Sequence, residues 1–254
     1  MKTLILSAGQ GSRLLPLTED CPKCLLPLGD TTLLGWQVEQ LARCGVTEIT
    51  VVVGFRAHAV ETYLARLRRP GLRLRTLFNP FYNVADNVAS CWMARGEMDR
   101  DFVLLNGDTL FEPAVLERLL ASPPAPVTMA IDRKAAYDSD DMKVCEEQGR
   151  LLEVGKTLPP ERVNGESIGM LLFRDDGPQW FVEVLDQVMR TPNGLSWWYL
   201  KAIGVLAERG LVRVCPIEGL EWGEVDFPDD LARVQQLFAP AAAGTPARTE
   251  PFPG

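Results

Sequence analysis

A glycine loop followed by two cations, and acids that recur far downstream, are the groups in this 254-residue chain whose spacing could do chemistry. The apolar segment Thr3–Leu6 predicts a buried strand that runs into Ser7-Ala8-Gly9-Gln10-Gly11-Ser12-Arg13, and Lys23 follows in the turn Pro22-Lys23-Cys24. Glycine lets backbone N–H groups close on phosphate oxygens because no Cβ blocks the approach. Arg13 and Lys23 add fixed positive charge beside that loop. The combination predicts a site for a nucleoside triphosphate. Leu104-Leu105-Asn106-Gly107-Asp108 sets a carboxylate just past a second buried strand. Glu224 and Asp226 form an i, i+2 pair that an extended segment points to one side. Acids from such distant segments can converge on Mg²⁺, which favours oxygen ligands.

Rival phosphate motifs fit less well. A dinucleotide-binding loop needs a third glycine, where this chain has Leu14, and its second strand ends in an acid, where Ile49–Val53 ends in Gly54 and Phe55. No Gly-Lys-Ser/Thr follows the loop, so the Walker pattern fails too. The net charge of −8 argues against nucleic acid as a partner. No apolar run reaches membrane-spanning length, Met1-Lys2 leads directly into the first strand, and the six cysteines are scattered; these features predict a cytoplasmic protein with reduced thiols. Histidine-based acid–base chemistry has one candidate, His58, in a segment that reads as a surface helix.

The positioning elements alternate. Helices are expected at Thr31–Cys44, Ala57–Leu67 and Asn87–Ala94, and strands at Ile49–Val53, Leu72–Leu77 and Asp101–Leu105. Such alternation predicts a doubly wound sheet with ligands beyond the strand carboxyl ends. The second half reads as strands at Val127–Asp132, Met142–Glu146, Leu151–Val154, Ile168–Phe173 and Leu211–Pro216, with helices at 178–190, 196–209 and Pro228–Phe238. One domain over 1–238 is the simplest organisation, with a nucleotide-binding half at about 1–125 and an acceptor-binding half at about 126–238. Residues 239–254, rich in Pro, Ala and Gly, predict a disordered tail.

Leu6–Leu28, with its strand, Gly-x-Gly-x-Arg loop and downstream Pro-Lys, resembles the nucleotidyltransferases that activate sugar phosphates and small phospho-alcohols, and the likeness extends over 1–238. It implies an α/β fold, a Rossmann-like three-layer α/β/α sandwich with a mixed, mainly parallel sheet. It also implies nucleotide contacts from Leu6, Ala8, Gly9, Gly11, Ser12, Arg13, Lys23, Asn87, Ser90 and Asp108. By motif position, Mg²⁺ would sit on Asp108 and Asp226, with Glu224 as a further ligand or neighbour. The catalytic set would be Arg13, Lys23 and Asp108. Arg13 would hold the departing β/γ-phosphates, and Lys23 would bridge the α-phosphate and the incoming phosphate. The nucleophile is already anionic, so alignment and charge neutralisation carry the reaction.

Tyr137–Val144, Val154-Gly155-Lys156 and Gly165–Gly169 most closely resemble bacterial CTP:phosphocholine cytidylyltransferases, which implies CTP as donor and phosphocholine as acceptor. A quaternary ammonium donates no hydrogen bond and is held by aromatic faces and carboxylates. The candidates are Tyr137, Asp141, Trp197, Trp198, Tyr199 and Trp222, with Lys143 and Lys156 for the acceptor phosphate. Other readings stay open: Asn87 suits a helix N-cap, the aromatic run Trp197–Tyr199 suits the start of a packed helix, and both lysines suit solvated strand positions. A sugar 1-phosphate, inositol 1-phosphate or 2-aminoethylphosphonate would serve the same mechanism, and a regulatory nucleotide-binding module would keep the fold without it. The chain is expected to work as a monomer or homodimer.

Overall fold

The computed structural model describes residues 1–238; the expected disordered tail, 239–254, lies outside the described residues. In chain order the elements are β1 (Lys2–Ser7), β2 (Pro27–Leu28), β3 (Thr31–Thr32), α1 (Leu33–Arg43), β4 (Glu48–Val53), α2 (Ala57–Arg66), β5 (Arg73–Phe78), α3 (Asn87–Met93), β6 (Phe102–Asn106) and β7 (Thr109–Phe111). There follow α4 (Pro113–Leu120), β8 (Val127–Asp132), β9 (Lys143–Glu147), β10 (Arg150–Gly155), β11 (Gly165–Phe173), α5 (Gly177–Met189), α6 (Tyr199–Glu208), β12 (Val212–Pro216), β13 (Trp222–Glu224) and α7 (Pro228–Phe238).

Nine strands form one sheet in the order β5-β4-β1-β6-β11-β8-β12-β10-β9. The first four are parallel, β12 runs parallel to β8, and β11 lies antiparallel between β6 and β8. Because successive strand residues point to opposite faces, Leu4 and Leu104 enter one apolar cluster with α3, α5 and α6, while Ile5 and Leu105 enter another with α1, α2 and α4. Two faces covered by helices make the three-layer α/β/α sandwich that the alternation and the resemblance led us to expect. The chain leaves β1 outward through β4 and β5, then returns to β6 on the other flank of β1. A crevice opens at the carboxyl ends of β1 and β6, where the strand order reverses.

Two findings depart from the sequence expectations. The helix expected at 196–209 begins at Tyr199: Gly194–Ser196 is a single 3₁₀ turn, and Trp197 and Trp198 are extended ahead of α6. The short strands β7 and β13 pair antiparallel, Thr109 opposite Glu224, and carry the C-terminal acids up to Asp108. Strands of three residues are too short to show a period of two. Among the described residues no helix is long and apolar enough to cross a membrane.

Candidate functional site

Glycines let the two strand ends meet. Gly11 holds φ +76°, a left-handed conformation that suits glycine, and the Lys23 side chain lies across the face where its Cβ would be. Thr18 Oγ1 donates to the Gly11 carbonyl at 2.8 Å and pins the loop. Gly107 packs its backbone against β1, donating its N–H to the Leu6 carbonyl at 2.9 Å. A Cβ at Gly107 would fall 2.5 Å from that carbonyl oxygen and 2.3 Å from Ser7 Oγ. Gly107→Ala is therefore expected to cost roughly 1–3 kcal/mol of stability through forced overpacking. Urea unfolding checks this, and a change below about 0.5 kcal/mol would show that the turn relaxes freely.

The loop and the acids enclose a cavity of about 360 Å³, lined by Gly9, Gly11, Ser12, Arg13, Lys23, Asp108 and Asp226, with Leu6 at its floor. Ala8 is buried behind the loop, its carbonyl accepting from Phe55 N–H at 2.9 Å. Lys23 Nζ lies 2.7 Å from Asp108 Oδ2 and 2.9 Å from Asp226 Oδ1, and Arg13 reaches the same Asp226 oxygen at 2.8 Å. Burial alone would pull the Lys23 ammonium down, but the two carboxylates outweigh it and raise its pKa. Burial pushes the Asp226 carboxyl up, and Lys23 and Arg13 more than reverse that, holding it below the usual range. For Glu224 the balance goes the other way: burial, then the charges of Asp108 and Asp226, outweigh Lys23 and Asn106 and push it up to about 8.

These acids suit a divalent cation in donor chemistry. All three present oxygen, and Asp108 Oδ1 is buried with no hydrogen-bond partner. Among the described residues no three Asp, Glu, His or Cys side chains are already gathered around one metal position. Lys23 Nζ instead lies between Asp108 and Asp226. A cation joining these carboxylates would have to share that charge with the lysine.

A second cavity, of about 490 Å³, adjoins the first, and Asp226 lines both. Its walls carry Asp132, Asp138, Asp140, Asp141, Glu166 and Asp230, together with the Trp222 ring, whose Nε1 donates to Asp132 Oδ2 at 2.8 Å. Lys134 Nζ bridges Asp141 at 2.8 Å and Glu166 at 2.9 Å. One ammonium cannot neutralise two carboxylates. Burial pushes the Asp141 carboxyl up and Lys134 brings it below its usual range, whereas burial, opposed by Lys134 and aided by Asp141, pushes Glu166 up to about 7. A carboxyl whose folded pKa is raised binds a proton that the unfolded chain has already lost. The ligand-free protein is therefore expected to lose stability as pH rises from about 4.5 to about 7. Glu166→Gln should reduce that slope and leave the part due to Glu224, which denaturant melts at the two ends of the window will show.

The predicted acceptor residues do not form one cage. Tyr199 is fully buried, its hydroxyl without a partner, so no acceptor reaches it. Trp197 packs against the core beneath Lys201, whose Nζ stands 4.3 Å from the ring centroid. Tyr137 and Lys143 line a different cavity, shared with Arg133 and Asn164. Lys143 Nζ donates to the backbone carbonyls of Asp138 and Lys156, which removes it from the acceptor side. Lys156 stays near the cleft, 3.4 Å from Asp140 and 5.1 Å above the Trp198 ring. On the nucleotide side, Ser90 is buried and accepts from Asn79 Nδ2 at 3.0 Å. The Asn87 side-chain oxygen accepts from Tyr199 N–H at 2.8 Å, tying α3 to α6, while Asp86 caps α3. Neither Ser90 nor Asn87 lines the cavity beside the glycine loop, whereas Asp86 does. The sequence also left out Asp140, which stands 3.6 Å from Arg13. The run Asp138–Asp141 was the only trace of it.

A glycine loop with paired cations and facing acids, set at the switch point of a doubly wound sheet, defines an α/β domain with its ligand crevice at the strand carboxyl ends. The chain belongs to the MobA-like NTP transferase domain family, which matches residues 3–155. A protein of Streptomyces rubellomurinus, CMP-5'-(3-aminopropyl)phosphonate synthase, is 30% identical over 249 residues, covering 94% of this chain and 39% of that protein. Choline-phosphate cytidylyltransferase of Streptococcus pneumoniae is 33% identical over 112 residues, 44% of this chain and 47% of that protein. The chain thus spans less than half the length of either relative in these matches. The structure of the inositol-1-phosphate CTP transferase from T. maritima superposes with TM-score 0.79 at 20% identity, covering 97% of this chain and 98% of that one, and shares its fold.

Proposed function

We propose that this domain transfers CMP from CTP to a small acceptor that carries a phosphate or phosphonate and a cationic headgroup. Phosphocholine is the first candidate. An anionic acceptor oxygen attacks the α-phosphorus, the bond to the α,β-bridging oxygen breaks, and pyrophosphate leaves with its electron pair. The observation that carries the reading is the meeting of two cavities at Asp226. One has the glycine loop and cations a triphosphate needs, and the other has the carboxylates a cation needs. The choice of CTP is supported by the CMP and cytidylyl groups in the names of relatives. Lys23 and Arg13 would neutralise charge on the phosphates, and Asp108, Asp226 and Glu224 would hold Mg²⁺, whose role would be to offset charge on the triphosphate.

A second reading of the acceptor has its own support. The acceptor cavity is rich in carboxylates, which outnumber both its two cations, Lys134 and Arg233, and its two aromatic rings, Trp222 and Phe227. Carboxylates accept N–H hydrogen bonds, which a primary ammonium makes and a quaternary one cannot. An aminoalkyl phosphonate therefore competes with phosphocholine.

Pyrophosphate release, with CTP, UTP, ATP, GTP and dTTP crossed against phosphocholine, phosphoethanolamine, aminoalkyl phosphonates, inositol 1-phosphate and sugar 1-phosphates, tests the proposal. Turnover with CTP and phosphocholine supports it as stated. Turnover with primary amines alone moves the acceptor to the second reading, and turnover with a sugar phosphate discards the cationic headgroup. CTP binding with no release from any pair would make the domain a regulatory nucleotide-binding module.

A further inference from the structure

We propose that Gln37 is a positioning residue that sets the Asp108 carboxylate. The inference rests on the reading that Asp108 acts in nucleotidyl transfer. Gln37 lies on α1, outside both cavities, and is fully buried. Its Nε2 donates to the carbonyl of Asn106 and to that of Thr109, both at 2.8 Å. Those carbonyls flank the two-residue turn Gly107-Asp108 between β6 and β7, so a single amide fixes the turn at both ends. The preceding helix residue, Trp36, donates Nε1 to the Phe111 carbonyl at 3.1 Å and holds the far end of β7. Thr109 Oγ1 donates to the Ile168 carbonyl at 2.9 Å and anchors the turn to β11.

The pattern differs from ordinary core satisfaction. Gln37 Oε1 is buried with no hydrogen-bond partner. A buried glutamine that spends both amide protons on one turn and leaves its oxygen unpaired costs stability relative to an apolar side chain. That cost is intelligible if the return is a fixed Asp108, whose Oδ2 meets Lys23 and whose Oδ1 is buried with no hydrogen-bond partner. Without Gln37 the two carbonyls can rotate, and the Asp108 side chain swings with them.

The full chain carrying Gln37→Met, which keeps the length and apolar volume but not the donors, tests this. Mn²⁺ binding followed by electron paramagnetic resonance, Mg²⁺-dependent pyrophosphate release, and hydrogen exchange across 106–109 are measured together. Mn²⁺ affinity and kcat are each expected to fall about 10–100-fold, the loss seen when a residue that orients a metal ligand is removed. KM for CTP should hold within a factor of about three, and protection should be lost at 106–109 but not along β1. Unchanged Mn²⁺ affinity and kcat, or retained protection at 106–109, overturns the inference. Should Gln37→Met fail to fold, Gln37→Glu decides. Its protonated carboxyl can donate to one carbonyl and its ionised form to neither, so its Mn²⁺ affinity relative to the parent should fall as pH rises. A constant ratio overturns the inference. A parent protein that binds Mn²⁺ and loses it in the Gln37 variant, yet releases no pyrophosphate with any pair, refutes the transferase reading and leaves the positioning role standing.

Discussion

Lys23→Met is expected to lower pyrophosphate release by about 10³-fold and to destabilise the ligand-free protein at the same time. The rate effect follows from removing a fixed cation where charge builds up on transferring phosphates; single preorganised donors of this kind are worth roughly 10²–10³ in kcat. The stability effect has a separate origin. Lys23, with 14% of its side chain exposed, is shared between Asp108 and Asp226, with Glu224 close behind. Methionine leaves those acids facing one another. Removing one partner of a buried pair costs about 3–5 kcal/mol, and the lower end applies here because each aspartate keeps about a fifth of its surface in water. Added Mg²⁺ should raise the melting temperature of Lys23→Met more than that of the parent, since the cation then meets no competing ammonium. Equal shifts would show that the lysine and the metal do not share the acids.

Asp108→Asn should separate the two effects. Pyrophosphate release is expected to fall by at least about 10³-fold, because asparagine carries no charge and keeps one oxygen, so it cannot both accept from Lys23 and offer a second anionic oxygen. The fold should suffer little. Lys23 keeps Asp226 at 2.9 Å, and Glu224 loses one of the two charges that push its carboxyl up to about 8. Urea melts at neutral pH should therefore place Asp108→Asn near the parent and Lys23→Met well below it. A collapse in stability for Asp108→Asn would mean that this acid serves the fold before it serves any substrate.

The same comparison shows how local information differs from assembled information in this chain. Gly11, Arg13, Lys23 and Asp108 could be picked out because each carries its meaning within a few residues: a glycine that frees backbone, a cation beside it, an acid past a buried strand; Asp226 was placed by the family resemblance. Most of the main strands and helices were legible for the same reason, since burial of one face imposes a period that the sequence displays. The acceptor side was not. Tyr199 and Trp197 could be read as ligand-facing aromatics or as the start of a packed helix, and α6 carries Tyr199 into the core; an amphipathic helix and an aromatic cage share the same residue types. Lys143 read as a phosphate contact, yet two backbone carbonyls take its ammonium.

By itself, then, the sequence determined the doubly wound alternation, the glycine loop and the identity of the charged groups beside it. Only the tertiary structure decided that β7 and β13 pair, that Glu224 thereby comes beside Asp108, that Lys23 lies between the two aspartates, and that Gln37 hydrogen-bonds across the Gly107-Asp108 turn. The physical reason is distance along the chain. Backbone freedom and residue charge are properties of a short segment, whereas burial, shared counter-charges and hydrogen bonds between residues 37, 106 and 109 exist only after distant segments have packed together.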